Sequence, residues 1–212
     1  MQVSLKAYGE NSILAYDLSA SAREALCRDL SRERPPACLE YVEGYDTVLF
    51  IFGQPTETDV LRGWLDGIQA GPANLFRSPV RVIPVTYDGP DLESVAEQAG
   101  LSVAELIERH SAPIYTVRMM GFAPGFPYLD GLDQRLRLPR MDSPRDRVEP
   151  GSVAIGGPHA GIYSVASPGG WHLLGRTEVQ LFNPDAARAA DPHPGDVFLF
   201  SPGDRLRFQA IC

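Results

Sequence analysis

Apolar and polar residues alternate along Val3 to Ala7, and Ser12 to Tyr16 is mostly apolar, with Gly9-Glu10-Asn11 between them. The two stretches read as short strands around a turn. Ser19 or Ser21 is placed to cap a helix running to about Leu30, with Ala22, Ala25, Leu26 and Leu30 on one face. Pro35-Pro36 closes it. Leu39 to Val42 and Thr47 to Phe52 read as paired strands across Gly44. The run Val48-Leu49-Phe50-Ile51-Phe52 is apolar throughout, which predicts a central strand covered on both faces. Thr56 or Thr58 opens a second helix to about Ala70, with Val60, Leu61, Trp64, Leu65 and Ile68 inward and Gly71-Pro72 as its stop. Val80 to Tyr87 is a further strand. The order β-α-β-β-α-β with an extra leading strand predicts a ferredoxin-like α/β sandwich, assigned to residues 1–87.

Asp88-Gly89-Pro90-Asp91 is a turn and a candidate domain joint. Asp91 is expected to cap a helix over Leu92 to Gln98, ended by Gly100. Ser102 with Glu105 forms a capping box for a second helix, which ends near Arg109-His110. From Pro113 the texture changes. Ile114–Met119, Val153–Ile155, Ile162–Val165, Trp171–Leu174, Val179–Phe182, Val197–Phe200 and Leu206–Ile211 are short apolar stretches punctuated by Gly and Pro. Many short strands of this kind predict a β-barrel or sandwich over residues 88–212.

The net charge of −8 is unevenly spread: residues 1–110 hold 9 basic and 17 acidic side chains, and residues 111–212 hold 10 of each. An acidic chain has no general attraction for nucleic acid or an anionic membrane. No apolar run approaches the roughly 20 residues of a bilayer span. The N-terminus lacks an apolar signal core, and Cys27, Cys38 and Cys212 have neither metal-ligand nor disulfide-framework spacing, so a reduced cytoplasmic setting is expected.

Lys6 is the only lysine, and Arg135, Arg137, Arg140, Arg145 and Arg147 fall close together. Guanidinium forks suit carboxylate and phosphate, although such a cluster also suits a solvated loop with local ion pairs. Two glycine-rich loops stand out. Gly121-Phe122-Ala123-Pro124-Gly125-Phe126-Pro127-Tyr128-Leu129 is conformationally constrained and aromatic. Ser167-Pro168-Gly169-Gly170-Trp171 would let a ligand or another chain segment approach the backbone, where bare amides bind oxyanions. The first also reads as a rigid structural turn packing its aromatics on the core. The chain contains no Walker loop and no nucleophile elbow. His110, His159, His172 and His193 lack zinc-type spacing, so no metal site is expected. His110, at a helix C-terminus that favours its charged form, is either a cap or an acid/base candidate.

Three ordered motifs resemble a known family. They are His110-Ser111-x-x-x-Tyr115-x-Val117 running on to Gly121-Phe122-x-Pro124-Gly125-Phe126-x-Tyr128-Leu129, then Ser143-Pro144-Arg145-x-Arg147-Val148-x-x-Gly151-Ser152-Val153, and last Gly161-Ile162-Tyr163 followed by Ser167-Pro168-Gly169-Gly170-Trp171-x-Leu173-x-Gly175-Arg176-Thr177. Together they are similar to the family of 5-oxoprolinase B subunits. This family is also called allophanate hydrolase subunit 1-like, includes the Kip-type inhibitor of a sporulation histidine kinase, and shares its module with the carboxyltransferase part of urea carboxylase. The chain departs from the usual pattern at His159-Ala160, Ser164 and His172.

The resemblance implies an α+β chain, with a ferredoxin-like N-terminal domain followed by a cyclophilin-like β-barrel domain. It implies two partners, the C and A subunits of 5-oxoprolinase, and an ATP-driven opening of 5-oxo-L-proline to L-glutamate, with ATP and Mg2+ shared with the partner. On that footing His110 and Arg145 are the expected catalytic residues. Arg140, Arg176, Gly125, Phe126, Tyr163, Gly169, Gly170 and Trp171 are the expected substrate or anion contacts. The same family likeness leaves two other roles open: a protein that inhibits a histidine kinase, and a carboxyltransferase-type component acting on urea or allophanate.

Overall fold

The computed structural model describes residues 3–30, 32–68 and 79–211, and the chain separates into two units, Met1–Phe76 and Arg77–Cys212. The first unit contains β1 (Ser4–Ala7), β2 (Ser12–Tyr16), α1 (Ala20–Leu30), β3 (Cys38–Glu43), β4 (Val48–Phe52) and α2 (Thr58–Asp66). Its sheet is antiparallel in the order β1-β2-β4-β3. β4 is an inner strand, as its apolar run predicts, but only Val48, Phe50 and Phe52 are fully buried and the intervening residues are half-covered. Ser19 caps α1, its Oγ accepting from the amide of Ala22 at 3.2 Å. Ala25, Leu26 and Leu30 face the core beside Arg23, whose buried guanidinium donates to Gly44 O at 2.8 Å and to Glu43 at 3.2 Å. Leu61, Leu65 and Ile68 of the second helical segment point inward, while Val60 is exposed. Neither Thr56 nor Thr58 caps α2, since Glu57 holds the N-cap position without a side-chain bond. The expected stop at Gly71-Pro72 and the last cysteine, Cys212, lie outside the described residues.

The second unit opens with β5 (Arg81–Thr86), α3 (Leu92–Ala99), α4 (Val103–Ser111), β6 (Tyr115–Met120) and β7 (Pro127–Asp130), then a single 3-10 turn (Gln134–Leu136). β8 (Arg145–Val148), β9 (Ser152–Gly156), β10 (His159–Ile162), β11 (Ser167–Gly169) and β12 (His172–Arg176) follow, then α5 (Pro184–Ala187), α6 (Pro194–Val197) and β13 (Arg205–Ile211). Seven of these strands close a barrel in the order β10-β7-β6-β13-β5-β12-β9, and β8 and β11 form a separate two-stranded ribbon. Every barrel pairing is antiparallel except β13 with β5. Ile83, Val85, Tyr115, Val117, Val153, Ile155, Leu206 and Phe208 fill the core, with Leu92, Val95 and Leu106 of the two helices packed on it. The capping box at Ser102 and Glu105 and the left-handed Gly100 end of α3 form as predicted.

The architecture is therefore α+β, ferredoxin-like and then barrel, with the boundary earlier than residue 87. The strand expected to complete the N-terminal sandwich is β5, and it pairs with β13 and β12 of the barrel. An apolar strand carries no record of which sheet it joins, and the edge beside β2 is already taken by the leading strand β1. Two further expectations differ. Val179–Phe182 and Val197–Phe200 are not strands, and they touch through a single bridge between Phe182 and Phe198. Ile162–Val165 runs out of β10 rather than forming its own strand.

Candidate functional site

The two glycine loops and the arginine segment converge in the second unit. The ribbon sets Arg145 opposite Gly169 and Val148 opposite Ser167, which joins the second and third motifs. The first loop, between β6 and β7, turns its aromatic residues onto them. Phe126 packs edge-to-face on Tyr163 at 5.3 Å and on Trp171 at 5.4 Å, and Tyr128 meets Trp171 at 5.6 Å. Such edge-to-face pairs gain from the ring quadrupoles beyond the area they bury. Phe126, Tyr163 and Trp171 are all buried, and burial pushes the Tyr163 hydroxyl up from its ordinary range.

The glycines make this packing possible. A Cβ at Gly156 would lie 2.7 Å from Cγ of Trp171, and one at Gly169 would collide with the Tyr163 hydroxyl. The close approach expected at Gly169 is thus made by a ring of the protein and not left open for a ligand. Gly170 instead accepts from the amide of Met141 at 2.8 Å, tying the arginine segment to the loop.

The five clustered arginines divide by role. Arg135 donates to the carbonyls of Ala99 and Gly100 at the end of α3, and Arg137 to Leu132 O. Arg147 pairs with Glu149 in the open. Arg140 lies over the Trp171 ring at 5.7 Å and is otherwise exposed. Arg145 donates to Asp91 Oδ1 at 2.6 Å, to Met141 Sδ at 2.9 Å and toward Trp171 O at 3.5 Å, and a quarter of its side chain remains exposed. Of the five, Arg140 and Arg145 are the two that meet Trp171, one over its ring and one toward its carbonyl.

Arg176 does not join them. It sits at the far end of β12, about 15 Å along the strand from Trp171, and pairs in the open with Asp88 at 3.3 Å. His110 does not join them either. Its ring is wholly buried, stacked on Phe208 at 4.6 Å and beside Tyr87 and Tyr115, with Nδ1 bonded to the Tyr87 hydroxyl at 2.7 Å. Desolvation lowers its pKa to about 3, so it is neutral, opposite to the charged cap expected at a helix C-terminus. With no surface open to a ligand, His110 is a core residue here and not an acid/base group at a pocket. His172 bonds Pro139 O at 2.9 Å, His193 caps α6, and His159 lies 3.3 Å from Asp130.

A cavity of about 220 Å³ adjoins the first loop, lined by Met120, Gly121, Ala123, Pro124, Gly125 and Phe198. Gly125 thus faces a cavity, but its lining is apolar side chains and backbone, and neither Arg140 nor Arg145 contributes to it. Phe122, at the tip of this loop, is exposed and held at φ +68°, a left-handed conformation costly for a bulky residue. It packs on Phe126 at 5.4 Å and Tyr163 at 6.2 Å.

Asp91 is the residue that sequence reasoning missed. It stands at the N-cap position of α3 yet makes no capping bond. Its carboxylate accepts from Arg145 and, through Oδ2, from the amide of Leu173 at 2.7 Å. An Asp before a helix reads as a cap, and nothing in the local pattern marks a partner so distant in sequence.

Among the described residues, no group of three or more His, Cys, Asp or Glu side chains is placed to hold a metal ion, and no helix is long and apolar enough to cross a membrane. The family model for the carboxyltransferase domain, subdomains C and D, matches residues 4–191. The B subunit of 5-oxoprolinase from Escherichia coli O157:H7 is 38% identical over 190 residues, which cover 84% of this chain and 82% of that protein. The B subunit of 5-oxoprolinase from Bacillus subtilis (strain 168) is 45% identical over 121 residues, covering 56% of this chain and 50% of that protein. The crystal structure of TTHA0988 superposes with a TM-score of 0.76 at 34% identity, covering all of this chain but only 40% of its own. With that family model matched over most of its length and so similar a relative alongside, the chain belongs to the carboxyltransferase-domain family, in the group of 5-oxoprolinase B subunits.

Proposed function

We propose that this chain is the B subunit of an ATP-dependent 5-oxoprolinase that opens 5-oxo-L-proline to L-glutamate together with the A and C subunits, in the cytoplasm, and is inactive alone. The observation that carries this reading is the convergence of Arg140 and Arg145 on Trp171, at the edge of the aromatic cluster built by the family's own motifs. A lactam is a resonance-stabilised amide, and ATP supplies the phosphoryl group that turns its carbonyl oxygen into a leaving group. Two guanidinium groups beside an aromatic wall suit the carboxylate of 5-oxoproline and the negative charge that develops on phosphoryl transfer. In this reading magnesium enters with the nucleotide and is shared with the partner protein.

The test is reconstitution. This chain, mixed with the A and C subunits, 5-oxo-L-proline, ATP and magnesium, is expected to release glutamate and phosphate, and its omission abolishes turnover. No turnover by the complete mixture overturns the reading.

A further inference from the structure

We infer that Asp91 is a positioning residue that holds the Arg145 guanidinium in the orientation needed to receive the substrate carboxylate. The inference rests on the reading of Arg145 as an anion contact. Asp91 is 8% exposed, and both of its oxygens are used: Oδ1 takes Arg145 Nη2 at 2.6 Å, and Oδ2 takes the Leu173 amide at 2.7 Å. The backbone supports the same placement. The amide of Asp91 donates to Leu173 O at 3.2 Å, and that of Gly89 donates to Leu174 O at 3.1 Å, so the turn before α3 is stapled to β12. The carboxylate therefore has a fixed position on the barrel rather than swinging on a loop.

That placement has a cost and a use. A side chain that capped α3 would stabilise the helix, and Asp91 forgoes that bond. It gains instead a charge-assisted bond to a guanidinium, about twice as strong as a neutral one. Arg145 is held on its other side by Met141 Sδ and Trp171 O. A long flexible side chain is thereby fixed at two edges. Its remaining donors stay near Trp171, and a quarter of the side chain is open. Pre-ordering the fork removes rotamer entropy that binding would otherwise have to supply.

Asp91→Asn tests this. The amide oxygen of Asn can still accept from Leu173, but its NH2 would face the guanidinium donor to donor, so Arg145 is released while the staple survives. In the reconstituted three-component complex, D91N is expected to raise KM for 5-oxo-L-proline roughly tenfold, the worth of one charged hydrogen bond, with kcat changed by less than about twofold. The double variant D91N/R145A is expected to match R145A alone, because Asp91 acts only through Arg145. D91E, which keeps the charge but moves it, is expected to fall between D91N and the parent. An unchanged KM in D91N, a loss confined to kcat, or effects that multiply in the double variant each overturn the inference.

A second readout separates this inference from the proposed function. In a Trp64→Phe background, Trp171 fluorescence of the purified chain reports 5-oxo-L-proline directly. If the complete mixture shows no turnover, the function reading fails, yet saturable quenching that weakens in D91N sustains the inference, and quenching absent or insensitive to Asp91 overturns it. If circular dichroism shows D91N unfolded, D91E decides by the same titration: weakened quenching sustains the inference and unchanged quenching overturns it.

Discussion

Two aromatic clusters in the barrel unit look alike in composition and differ in their polar groups. One gathers Phe126, Tyr128, Tyr163 and Trp171, with Arg140 and Arg145 at its edge. The other gathers Tyr87, Tyr115 and Phe208 around a fully buried His110. In the first, charged groups meet the rings at an open rim and keep donors to spare. In the second, the imidazole of His110 is desolvated into its neutral form. A family motif runs through both, so membership of a motif does not by itself say whether a group is sealed in the core or meets solvent.

The sharpest break between the clusters is in stability. Phe208→Ala removes a ring that is 1% exposed and stacked on His110, and is expected to cost about 3–5 kcal/mol. Arg140→Ala, at an exposed position, is expected to cost less than about 1 kcal/mol. Urea unfolding of both variants measures this, and comparable losses would erase the distinction.

Next in size is a pH effect confined to the second cluster. His110 has a folded-state pKa lowered from 6.5 to about 3. Between those values the unfolded chain binds a proton that the folded chain refuses, so stability is lost as pH falls through that window. The loss is on the order of 1 kcal/mol for each pH unit below the unfolded value. His110→Phe is expected to flatten this part of the profile, read from unfolding midpoints at about pH 7 and about pH 5. Equal slopes in the parent and the variant would show that the histidine is not sealed.

The smallest effect concerns two exposed arginines, Arg140 and Arg176. Arg140→Ala is expected to raise KM for 5-oxo-L-proline several-fold, on the order of 1 kcal/mol of binding. Arg176→Ala, paired with Asp88 away from Trp171, is expected to leave KM within about twofold and stability within about 0.5 kcal/mol. A larger effect at Arg176 than at Arg140 would move the anion contact to the other end of β12.

Much of the fold is legible in the chain because periodicity and caps are local. The strands β1 to β4, the helix α1 and the Ser102 capping box follow from spacing alone. What is not legible is decided by partners far away in sequence. β5 has the pattern of any buried strand, and only its pairing with β13 assigns it to the barrel. Asp91 reads as a cap because its competing partners, Arg145 and the Leu173 amide, lie on later strands. Gly169 reads correctly as a place of close approach, yet nothing in its neighbourhood says that Tyr163 would be the group that approaches. Phe126, Tyr163, Trp171 and Arg145 are legible as a set because the family's motifs carry them together.

The parallel pairing of β13 with β5 has a consequence for how the protein is made. β13 lies between β5 and β6, so a ribosome delivers six of the seven barrel strands before the one that joins those two. Until then both strands offer bare edges, open templates for pairing with another nascent chain. Closure of this half waits for distant segments to meet, which makes it slow, and the emerging polypeptide relies on dilution or chaperones to keep those edges from neighbours on the same message.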